Sequence, residues 1–424
     1  MDYKKRVGIV LTADGLPVPA VKGGAVEQLL TMLMESNEDH GDLFMTYYIP
    51  IACKHDVESL GLNKDYKHAK FNYIAVPKFK KFFVKAFNKV FRMVFKKGLF
   101  TDPYYQKAYK MLKRDKNDFI LFEGQYPLNI NRYIKTFGRD NLGFHIHCQF
   151  IADKYGADKY TQKFVSSPKT GIQNFGKVLC VSKFIRDDWA QIYDRLGYNN
   201  KENLYYYPNS IDESKFDKEF SNEEKQALRS SLGYTDEDFV CIICGRISEV
   251  KGVRELIHSV VNTNEKHIKL LIMGSVNFDT NTNSPYLEEV KALCKAHQDQ
   301  VTFTGYVKNT EVYKYLKASQ VQAIPSLWND AAPLTALEGR WSSVPVLATR
   351  TGGLTEHCAS EGCMLVSKGE TIEAELTEAL LKLYNDKDLL KHMQATAKVG
   401  MERHSKEMFY QNFVRIMCGG RVDE

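Results

Sequence analysis

Residues 239–252 read FVCIICGRISEVKG, an apolar run that passes into a basic loop containing glycine. An apolar run of this length, rich in β-branched residues, is typical of a strand buried on both faces of a parallel sheet. Arg246 and Lys251 follow the run and so lie at the carboxyl end of the strand, where open α/β sheets bind ligands. The two cations are therefore candidates for holding a diphosphate, although a solvated surface loop would show the same pattern.

The rest of the chain repeats this alternation of strand-like runs and helical periods. From residue 253 onward the series is VRELIHSVV, KLLIMG, EVKALCKAH, QVTFTG, EVYKYLKAS, VQAIPS, TALEGRW, VPVLAT and a helix over 372–384. In the first half it is RVGIVL (6–11), AVEQLLTMLME (25–35), FNYIAV (71–76), DFILFEG (118–124), LGFHIHC (142–148), KVLCVS (177–182) and IRDDWAQIY (185–193). This alternation indicates a parallel sheet covered by helices, and the chain uses it twice.

The polar segment after residue 205 has no strand-like run before Phe239, so we predict a domain boundary near residue 205. The prediction gives a first domain over 1–205, a second over 206–403, and an amphipathic helix within 404–424 that could return to the first domain. The predicted fold class is α/β, with two doubly wound, Rossmann-like domains facing an interdomain cleft. Such a cleft suits a reaction of two substrates.

The composition places the chain among folded proteins of more than one domain. Its 424 residues are 44% hydrophobic and 26% charged, which excludes a single small module and a disordered chain. The net charge of +6 comes from residues 77–100, which hold eight Lys and Arg and no acid, so the remainder carries −2. This local excess argues against a broad nucleic-acid-binding surface. The nine cysteines are scattered, many of them inside apolar runs, and fit reduced thiols of a cytoplasmic protein; neither a signal peptide nor a membrane-spanning run is visible.

A second group of candidate ligand-binding residues lies in the later stretch IPSLWNDAAPLTALEG. Pro333 stands where a helix would begin, and because proline is favoured in the first helical turn, the amides of Leu334 and Thr335 would form an anion site at the positive end of the helix dipole. Glu338, one turn further along, could accept hydrogen bonds from sugar or ribose hydroxyls, and Asp330 would face the cleft from the preceding loop. A capped surface helix with incidental carboxylates is the alternative.

Taken in order, these motifs resemble the retaining nucleotide-sugar glycosyltransferases of the GT-B fold, the large group that builds capsular, cell-wall and glycolipid glycans. The resemblance is strongest over residues 180–360. The motifs that carry it are Arg246-x4-Lys251, Gly274 at the end of LIMG, VTFTGYV (301–307), Pro325-Ser326, the acid-x7-Glu spacing of Asp330 and Glu338, VPVLAT, and Gly352-Gly353 with Glu356. The family usually has Glu where this chain has Asp330, which leaves the donor sugar open.

The resemblance implies that eight residues of the second domain bind the donor. They are Arg246 and Lys251 for the diphosphate, the main chain at Tyr306 and Val307 for the base, Glu338 for the ribose, and Asp330 with the amides of Leu334 and Thr335 for the transferred sugar and its adjacent phosphate. The two cations would also support the leaving group as it gains negative charge. No residue is well placed by sequence as a covalent nucleophile, so we expect front-face attack.

The first half contributes a glycine pair and a pair of histidines. Gly23-Gly24 stands before a helix whose amino end favours a phosphate, although a glycine pair is often a simple turn. His145 and His147 project to the same face of a strand, where a histidine is more often a core residue. The resemblance implies that His147 lies against the donor sugar and helps to orient it, with His145 as the alternative.

The resemblance implies no metal and no cofactor, because transferases of this fold rely on cations and helix dipoles; the nucleotide sugar, with a UDP-sugar favoured, is a substrate. Paired histidines could bind a metal. Cys241-x-x-Cys244 resembles half a zinc site, but no second pair follows at ligand spacing.

Residues 77–100, PKFKKFFVKAFNKVFRMVFKKGLF, combine aromatic and cationic side chains at helical spacing. The pattern predicts an interfacial helix that binds an anionic membrane. The side chains we expect to bind the membrane are Lys81, Lys85, Lys89, Arg92, Phe87 and Phe91. An internal amphipathic helix with snorkelling lysines is the alternative, and RNA binding is poorly supported because nothing else in the chain favours it.

These observations and the resemblance together predict a retaining, metal-independent glycosyltransferase, cytoplasmic and peripheral on the membrane. It would move a sugar from a nucleotide diphosphate to a hydroxyl of a glycan, a lipid-linked or a glycoprotein acceptor; the oligomeric state is left open. Two alternatives remain, a nucleotide-sugar epimerase of the GT-B fold and a non-catalytic partner subunit. Asp330 slightly favours the second, whereas Arg246, Lys251 and Glu338 argue against it.

Overall fold

The computed structural model describes residues 3–21, 24–62, 65–95, 102–127, 129–149, 159–167, 170–276 and 283–422. The chain forms two compact units, Met1–Asn209 with Glu407–Glu424, and Ser210–Lys406. The first unit therefore ends close to residue 205, where the polar segment begins. Each unit is an α/β domain with a parallel sheet, as the alternation of the sequence predicts.

The first unit is a doubly wound sheet with helices between its strands. Its strands are β1 Lys5–Val10, β2 Leu43–Pro50, β3 Ala69–Ile74, β4 Phe119–Glu123, β5 Leu142–Ile146, β6 Lys177–Cys180 and β7 Leu204–Tyr206. Its helices are α1 Ala25–His40, α2 Ala52–Ser59, α3 Lys78–Phe95, α4 Pro103–Asp115, α5 Ile130–Phe137, α6 Lys159–Val165 and α7 Lys183–Leu196. Within the described ranges the sheet order is β3-β2-β1-β4-β5-β6-β7, and every pair is parallel.

The alternation in the sequence does not predict strand β2, which the structure shows at Leu43–Pro50. It reads LFMTYYIP and is almost wholly buried, including both tyrosines. The hydroxyl of Tyr48 donates to Asp115 Oδ2 at 2.8 Å, and the hydroxyl of Tyr104 donates to the Tyr48 carbonyl oxygen at 2.8 Å. These hydrogen bonds satisfy polar groups that would otherwise be costly to bury in a central strand.

The C-terminal helix α16, Lys406–Met417, packs on the first unit. The ring of Phe409 stacks on that of Tyr207 with centroids 4.6 Å apart, and the Tyr410 hydroxyl donates to Asn37 Oδ1 at 3.0 Å. Lys5 Nζ donates to the carbonyl oxygen of Met417 at 2.9 Å. The last helix thus returns to the first domain, which the amphipathic pattern alone left open.

The second unit is a smaller sheet of the same kind. Its strands are β8 Phe239–Arg246, β9 Ile268–Ser275, β10 Val301–Gly305, β11 Val321–Ile324, β12 Val346–Thr349 and β13 Cys363–Val366. Its helices are α8 Asn222–Ser231, α9 Val253–Asn262, α10 Pro285–Ala296, α11 Val312–Lys317, α12 Leu334–Trp341, α13 Leu354–His357, α14 Ile372–Asn385 and α15 Lys387–Thr396. The order β10-β9-β8-β11-β12-β13 places β8 and β11 side by side at the centre, both parallel to their neighbours.

Candidate functional site

The loops that follow β8 and β11 meet at the carboxyl edge of the second sheet. Arg246 is the last residue of β8, and Lys251 ends the short turn Glu249–Lys251 behind it. The backbone N–H of Leu327, in the loop after β11, donates to the carbonyl oxygen of Val250 at 2.9 Å. Because ligands of doubly wound sheets bind at this edge, both cations stand where the sequence places them.

Gly252 allows the two loops to approach. Its φ is +68°, and a Cβ atom at this position would lie 2.0 Å from the carbonyl oxygen of Pro325. A side chain would therefore push the loop after β11 away from Lys251. Glycine is required here by the close approach as well as by the backbone conformation.

Lys251 and Asp330 form an ion pair across these loops. Lys251 Nζ lies 2.7 Å from Asp330 Oδ1 and 2.9 Å from Oδ2, and the buried Ser326 hydroxyl also donates to Oδ2. The side chains are 24% and 15% exposed, so solvent weakens the attraction only in part. We expected the two residues to contact different parts of a donor, whereas here they contact each other. A phosphate that reached Lys251 would compete with Asp330 for the same ammonium group.

The glycine pair Gly352-Gly353 contacts the main chain of Asp330. Gly352 has a φ of +52°, and a Cβ atom there would lie 2.2 Å from the carbonyl oxygen of Asp330. The backbone N–H of Gly353 donates to the same oxygen at 2.7 Å. This contact gives the pair a physical role that its motif does not reveal: it fixes the main chain that carries the Asp330 carboxylate.

The amino end of α12 offers two backbone donors beside this loop. The helix begins at Leu334, and Pro333 is its N-cap with an extended ψ of 122°, so proline stands at the start of the helix, one position before its first turn. The N–H groups of Leu334 and Thr335 have no acceptor among the residues that the structure describes. Free amides at the positive end of a helix dipole favour an anion, as predicted.

Glu338 lies one turn into the same helix and is half-buried. Its burial raises the pKa of the carboxyl group from 4.5 to about 7. Within the described ranges, neither this carboxyl nor the exposed guanidinium of Arg246 has a hydrogen-bonding or ionic partner. Both groups are therefore available to a ligand at the strand ends.

Tyr306 and Val307 follow β10 and line a cavity of about 510 Å³. Its other apolar lining residues are Phe220, Ala227, Leu228 and Tyr315, and its charged lining residues are Glu224, Lys308, Glu311 and Lys314. A cavity of this size is large enough for a nucleobase. None of its described lining residues belongs to the Lys251–Asp330 pair, so the structure does not join the predicted base site to the predicted phosphate site.

The predicted phosphate site at the start of α1 is partly occupied by the protein. Gly23 lies outside the described residues, and Gly24 is the N-cap of α1. The Glu27 carboxylate accepts the N–H of Leu16 at 3.1 Å, and a Cβ atom at Gly24 would lie 2.3 Å from Glu27 Oε2. A phosphate at this helix end would have to displace a carboxylate that already complements the dipole.

His145 of β5 and His147, which follows the strand, share a partner that the sequence analysis missed. Glu123 is the last residue of the neighbouring strand β4, and its Oε2 lies 3.0 Å from His145 Nδ1 and 2.6 Å from His147 Nε2. The side chains of Glu123, His145 and His147 are 1%, 3% and 11% exposed. The acid that ends DFILFEG, on a strand adjacent to the histidines, was the available signal, because parallel strands end at one edge.

Glu123, His145 and His147 are also the one group of three potential metal ligands in the described part of the chain. The ligand atoms of a tetrahedral zinc site lie about 3.3 Å apart. The separation of 2.6 Å between His147 Nε2 and Glu123 Oε2 is shorter, and one carboxylate oxygen serves both rings. These distances fit hydrogen bonds better than a metal site.

Helix α3 carries a row of exposed aromatic side chains. Phe79, Phe82, Phe83 and Phe87 are 66%, 69%, 63% and 57% exposed, and Lys89 is exposed as well. The helix itself is where the sequence predicts it. The side chains of Lys81, Lys85, Phe91 and Arg92 lie outside those described. No helix in the described ranges has the length and apolar character needed to cross a bilayer.

Residues 224–399 match the protein family described as "Glycosyl transferases group 1". The second unit is therefore similar to glycosyltransferase group 1 domains. The match covers β8 to β13 and therefore every candidate donor-binding residue on the second sheet.

Two similar proteins extend the comparison. The chain is 20% identical to YtcC of Bacillus subtilis over 405 residues, 92% of this chain and 86% of that one. It is 28% identical to the alpha-monoglucosyldiacylglycerol synthase of Streptococcus pneumoniae over 176 residues, 40% of this chain and 36% of that one. The second match thus spans little more than a third of the relative.

Among solved structures, the chain resembles Anabaena HepE in complex with UDP and glucose. The TM-score is 0.66 at 16% identity, with 97% of this chain and 99% of that chain covered. The fold of the whole chain is accordingly GT-B, and the resemblance to GT-B glycosyltransferases that the motifs indicated is confirmed.

Proposed function

We propose that this protein is a retaining glycosyltransferase that moves a sugar from a nucleoside diphosphate, with UDP favoured, to a hydroxyl group of a glycan, glycolipid or glycoprotein. The family match supports sugar transfer as such. The donor, the stereochemistry and the acceptor are our proposal.

The observation that carries the proposal is the convergence of donors for an anion at the carboxyl edge of the second sheet. Arg246, Lys251 and the free amides of Leu334 and Thr335 all belong to loops or helix ends at that edge. Positive groups and oriented amides stabilise a diphosphate, and they stabilise it more strongly when the sugar departs and the charge grows.

In the proposed reaction, the acceptor oxygen attacks the anomeric carbon while the bond from that carbon to the phosphate oxygen breaks. The acceptor proton passes to the departing phosphate oxygen, so no enzyme base is needed for this step. Attack and departure on the same face retain the configuration. Arg246 and Lys251 neutralise the leaving diphosphate, and Asp330 with His147 orients the sugar.

A UDP donor is supported by two features of different kinds. The cavity beside Tyr306 and Val307 has room for a base, and HepE, which shares the fold, was crystallised with UDP and glucose. We propose further that cations and helix amides replace a divalent metal on the diphosphate. Undiminished transfer in excess EDTA would be the expected result, and loss that Mg²⁺ or Mn²⁺ restores would contradict it.

A panel of sugar nucleotides tests the donor proposal. A ligand that binds only the native state raises the melting temperature in proportion to its affinity, so the best donor should give the largest shift. Product analysis with that donor then separates transfer to an acceptor from epimerisation of the free nucleotide sugar. Absence of any shift and of any turnover would favour the non-catalytic partner subunit.

Substitution of Lys251 tests the proposed diphosphate site. We expect Lys251→Met to lower kcat/KM by about 100-fold or more, because it removes a charge-assisted hydrogen bond to the leaving group. Lys291→Ala is the matched control, since it removes a positive charge from an exposed helix of the same unit. Equal losses in both variants would show that general charge, and not the site, is responsible.

We also propose that α3 attaches the protein to an anionic membrane surface, which would give access to lipid-linked acceptors. The exposed phenylalanines would enter the headgroup region, and each basic residue near the surface adds about 1 kcal/mol. The name of the pneumococcal relative, a glycolipid synthase, agrees with this proposal.

Vesicle sedimentation tests the membrane proposal. Phe82→Ser with Phe83→Ser should lose binding to vesicles that contain phosphatidylglycerol, and the wild type should bind phosphatidylcholine vesicles weakly. Val399→Ser is the control, because Val399 is a similarly exposed apolar residue on the second unit. Unchanged binding of the double variant would contradict the membrane proposal and favour an internal amphipathic helix.

A further inference from the structure

A buried carboxylate forms the centre of the hydrogen-bonded group at the ends of β4 and β5. One oxygen of Glu123, Oε2, faces a ring nitrogen of His145 and one of His147. The two rings are 3.9 Å apart between centroids, and the His145 ring packs 5.3 Å from that of the buried Tyr207. No cationic side chain is paired with Glu123 among the described residues, so the imidazoles supply its polar contacts.

The charge states in this group follow from burial and from the hydrogen bonds. Burial alone raises the pKa of Glu123, but the attraction and the hydrogen bonds of the two histidines outweigh it and lower the pKa well below its ordinary value. Burial, with a contribution from His147, lowers the pKa of His145. At neutral pH, Glu123 is therefore ionised and His145 is neutral.

An ionised carboxylate only accepts hydrogen bonds, so each facing ring nitrogen must carry a proton. Neutral His145 then has its proton on Nδ1, which leaves its enclosed Nε2 as a bare acceptor without a partner in the described chain. His147 has a proton on Nε2. Its Nδ1 has no partner among the described residues and is not one of the enclosed polar atoms.

We infer that Glu123 is a positioning residue for His147: it holds the ring by Nε2–H and thereby presents Nδ1 to a hydroxyl group of a sugar ligand. This role rests on the proposed transferase function. The arrangement follows the general rule that the partner of one imidazole nitrogen sets the state of the other. A short contact with Glu123, the last residue of β4, fixes the orientation of the ring, so a sugar hydroxyl at Nδ1 would be held in one position.

Nitrogen-15 NMR of the histidine rings tests the inference in the full-length protein without any ligand. We expect protonated-type shifts for His145 Nδ1 and His147 Nε2, and a lone-pair-type shift for His145 Nε2. Zinc bound by the facing nitrogens would require the opposite tautomers, with protons on His145 Nε2 and His147 Nδ1. Those tautomers, or stoichiometric zinc in the purified protein, would overturn the inference.

Two variants test whether Glu123 and its hydrogen bonds affect activity. Glu123→Met removes the acceptor with an apolar side chain of similar volume, so His145 should move its proton to Nε2, and kcat should fall by about tenfold to 100-fold with the KM of the donor changed less. His145→Phe is the comparison, because it keeps the Glu123–His147 hydrogen bond and should leave the His147 ring signals in place.

An unchanged kcat in Glu123→Met would overturn the positioning role even if the tautomers are as expected. Should Glu123→Met fail to fold, titration of the wild type with UDP-glucose decides, because the hydroxyl contact should move the His147 Nδ1 signal and leave His145 unaffected. A static Nδ1 signal under saturating UDP-glucose would contradict the inference. A wild type that binds no sugar nucleotide at all would instead refute the proposed function, while the tautomers would still report whether Glu123 holds the rings.

Discussion

The carboxyl group of Glu338 should make the binding of a sugar nucleotide depend on pH. Its pKa, raised by burial from 4.5 to about 7, means that the group is protonated below neutral pH and ionised above it. Ribose hydroxyls donate to the ionised form, so a bound nucleotide lowers this pKa. Affinity should consequently increase as the pH rises through 7, and binding below pH 7 should release a proton.

The size of the expected pH dependence follows from the shift in the pKa of Glu338. The difference of about 2.5 pKa units corresponds to about 3 kcal/mol by which folding disfavours the ionised carboxyl. Without ligand, the raised pKa of Glu338 destabilises the folded protein progressively as the pH rises from 4.5 through 7. If the ligand returns the pKa to its ordinary value, affinity at pH 8 should exceed that at pH 6 by about tenfold.

Isothermal titration calorimetry measures both quantities. UDP-glucose is a suitable probe because its diphosphate has no second ionisation near neutral pH, unlike a terminal phosphate. Titrations at pH 6.5 in buffers of different ionisation enthalpy should show the release of about 0.7 proton in the wild type. Glu338→Gln should bind without this release and with a weaker pH dependence. Equal proton release by both proteins, or affinity that falls with rising pH, would refute the reasoning.

Three further predictions concern the contacts around Asp330 and the last helix. Asp330→Asn should free Lys251 from its ion pair, so that calorimetry shows UDP bound about tenfold more tightly while transfer assays show a lower kcat; weaker UDP binding would contradict the competition between Asp330 and the phosphate. Gly352→Ala should lower the free energy of unfolding in urea by about 2–4 kcal/mol, because its Cβ would meet the Asp330 carbonyl oxygen, and an unchanged midpoint would exclude that contact. Tyr410→Phe should cost about 1 kcal/mol in the same assay by removing the contacts of its hydroxyl with Asn37 Oδ1 and Asp42 Oδ2, unlike a substitution at the exposed Val399.

Periodicity revealed most of the fold because each strand of a parallel sheet is a short apolar run. It missed β2, in which the hydroxyl of the buried Tyr48 donates to a carboxylate 67 residues away in the sequence. Periodicity also left the position of the last helix open, since an amphipathic face predicts burial without naming its partner. The contacts of Phe409 and Tyr410 with the first unit supply that partner.

The candidate site could be predicted at the level of strand ends and less well at the level of contacts. The sequence placed Arg246 and Lys251 correctly at the carboxyl end of β8, because the end of an apolar run marks the edge of the sheet. It gave no indication that Lys251 pairs with Asp330, 79 residues away. Glu123 was missed for the same reason. The sequence alone does not show that the register of β4 with β5 places Glu123 opposite His145.

A crystal structure of the full-length protein with UDP would show where the diphosphate binds. We expect it at the end of β8, with Lys251 Nζ moved from Asp330 to a phosphate oxygen, the guanidinium of Arg246 beside it, and the amides of Leu334 and Thr335 pointing at the same group. UDP bound elsewhere, with the Lys251–Asp330 pair intact, would contradict it.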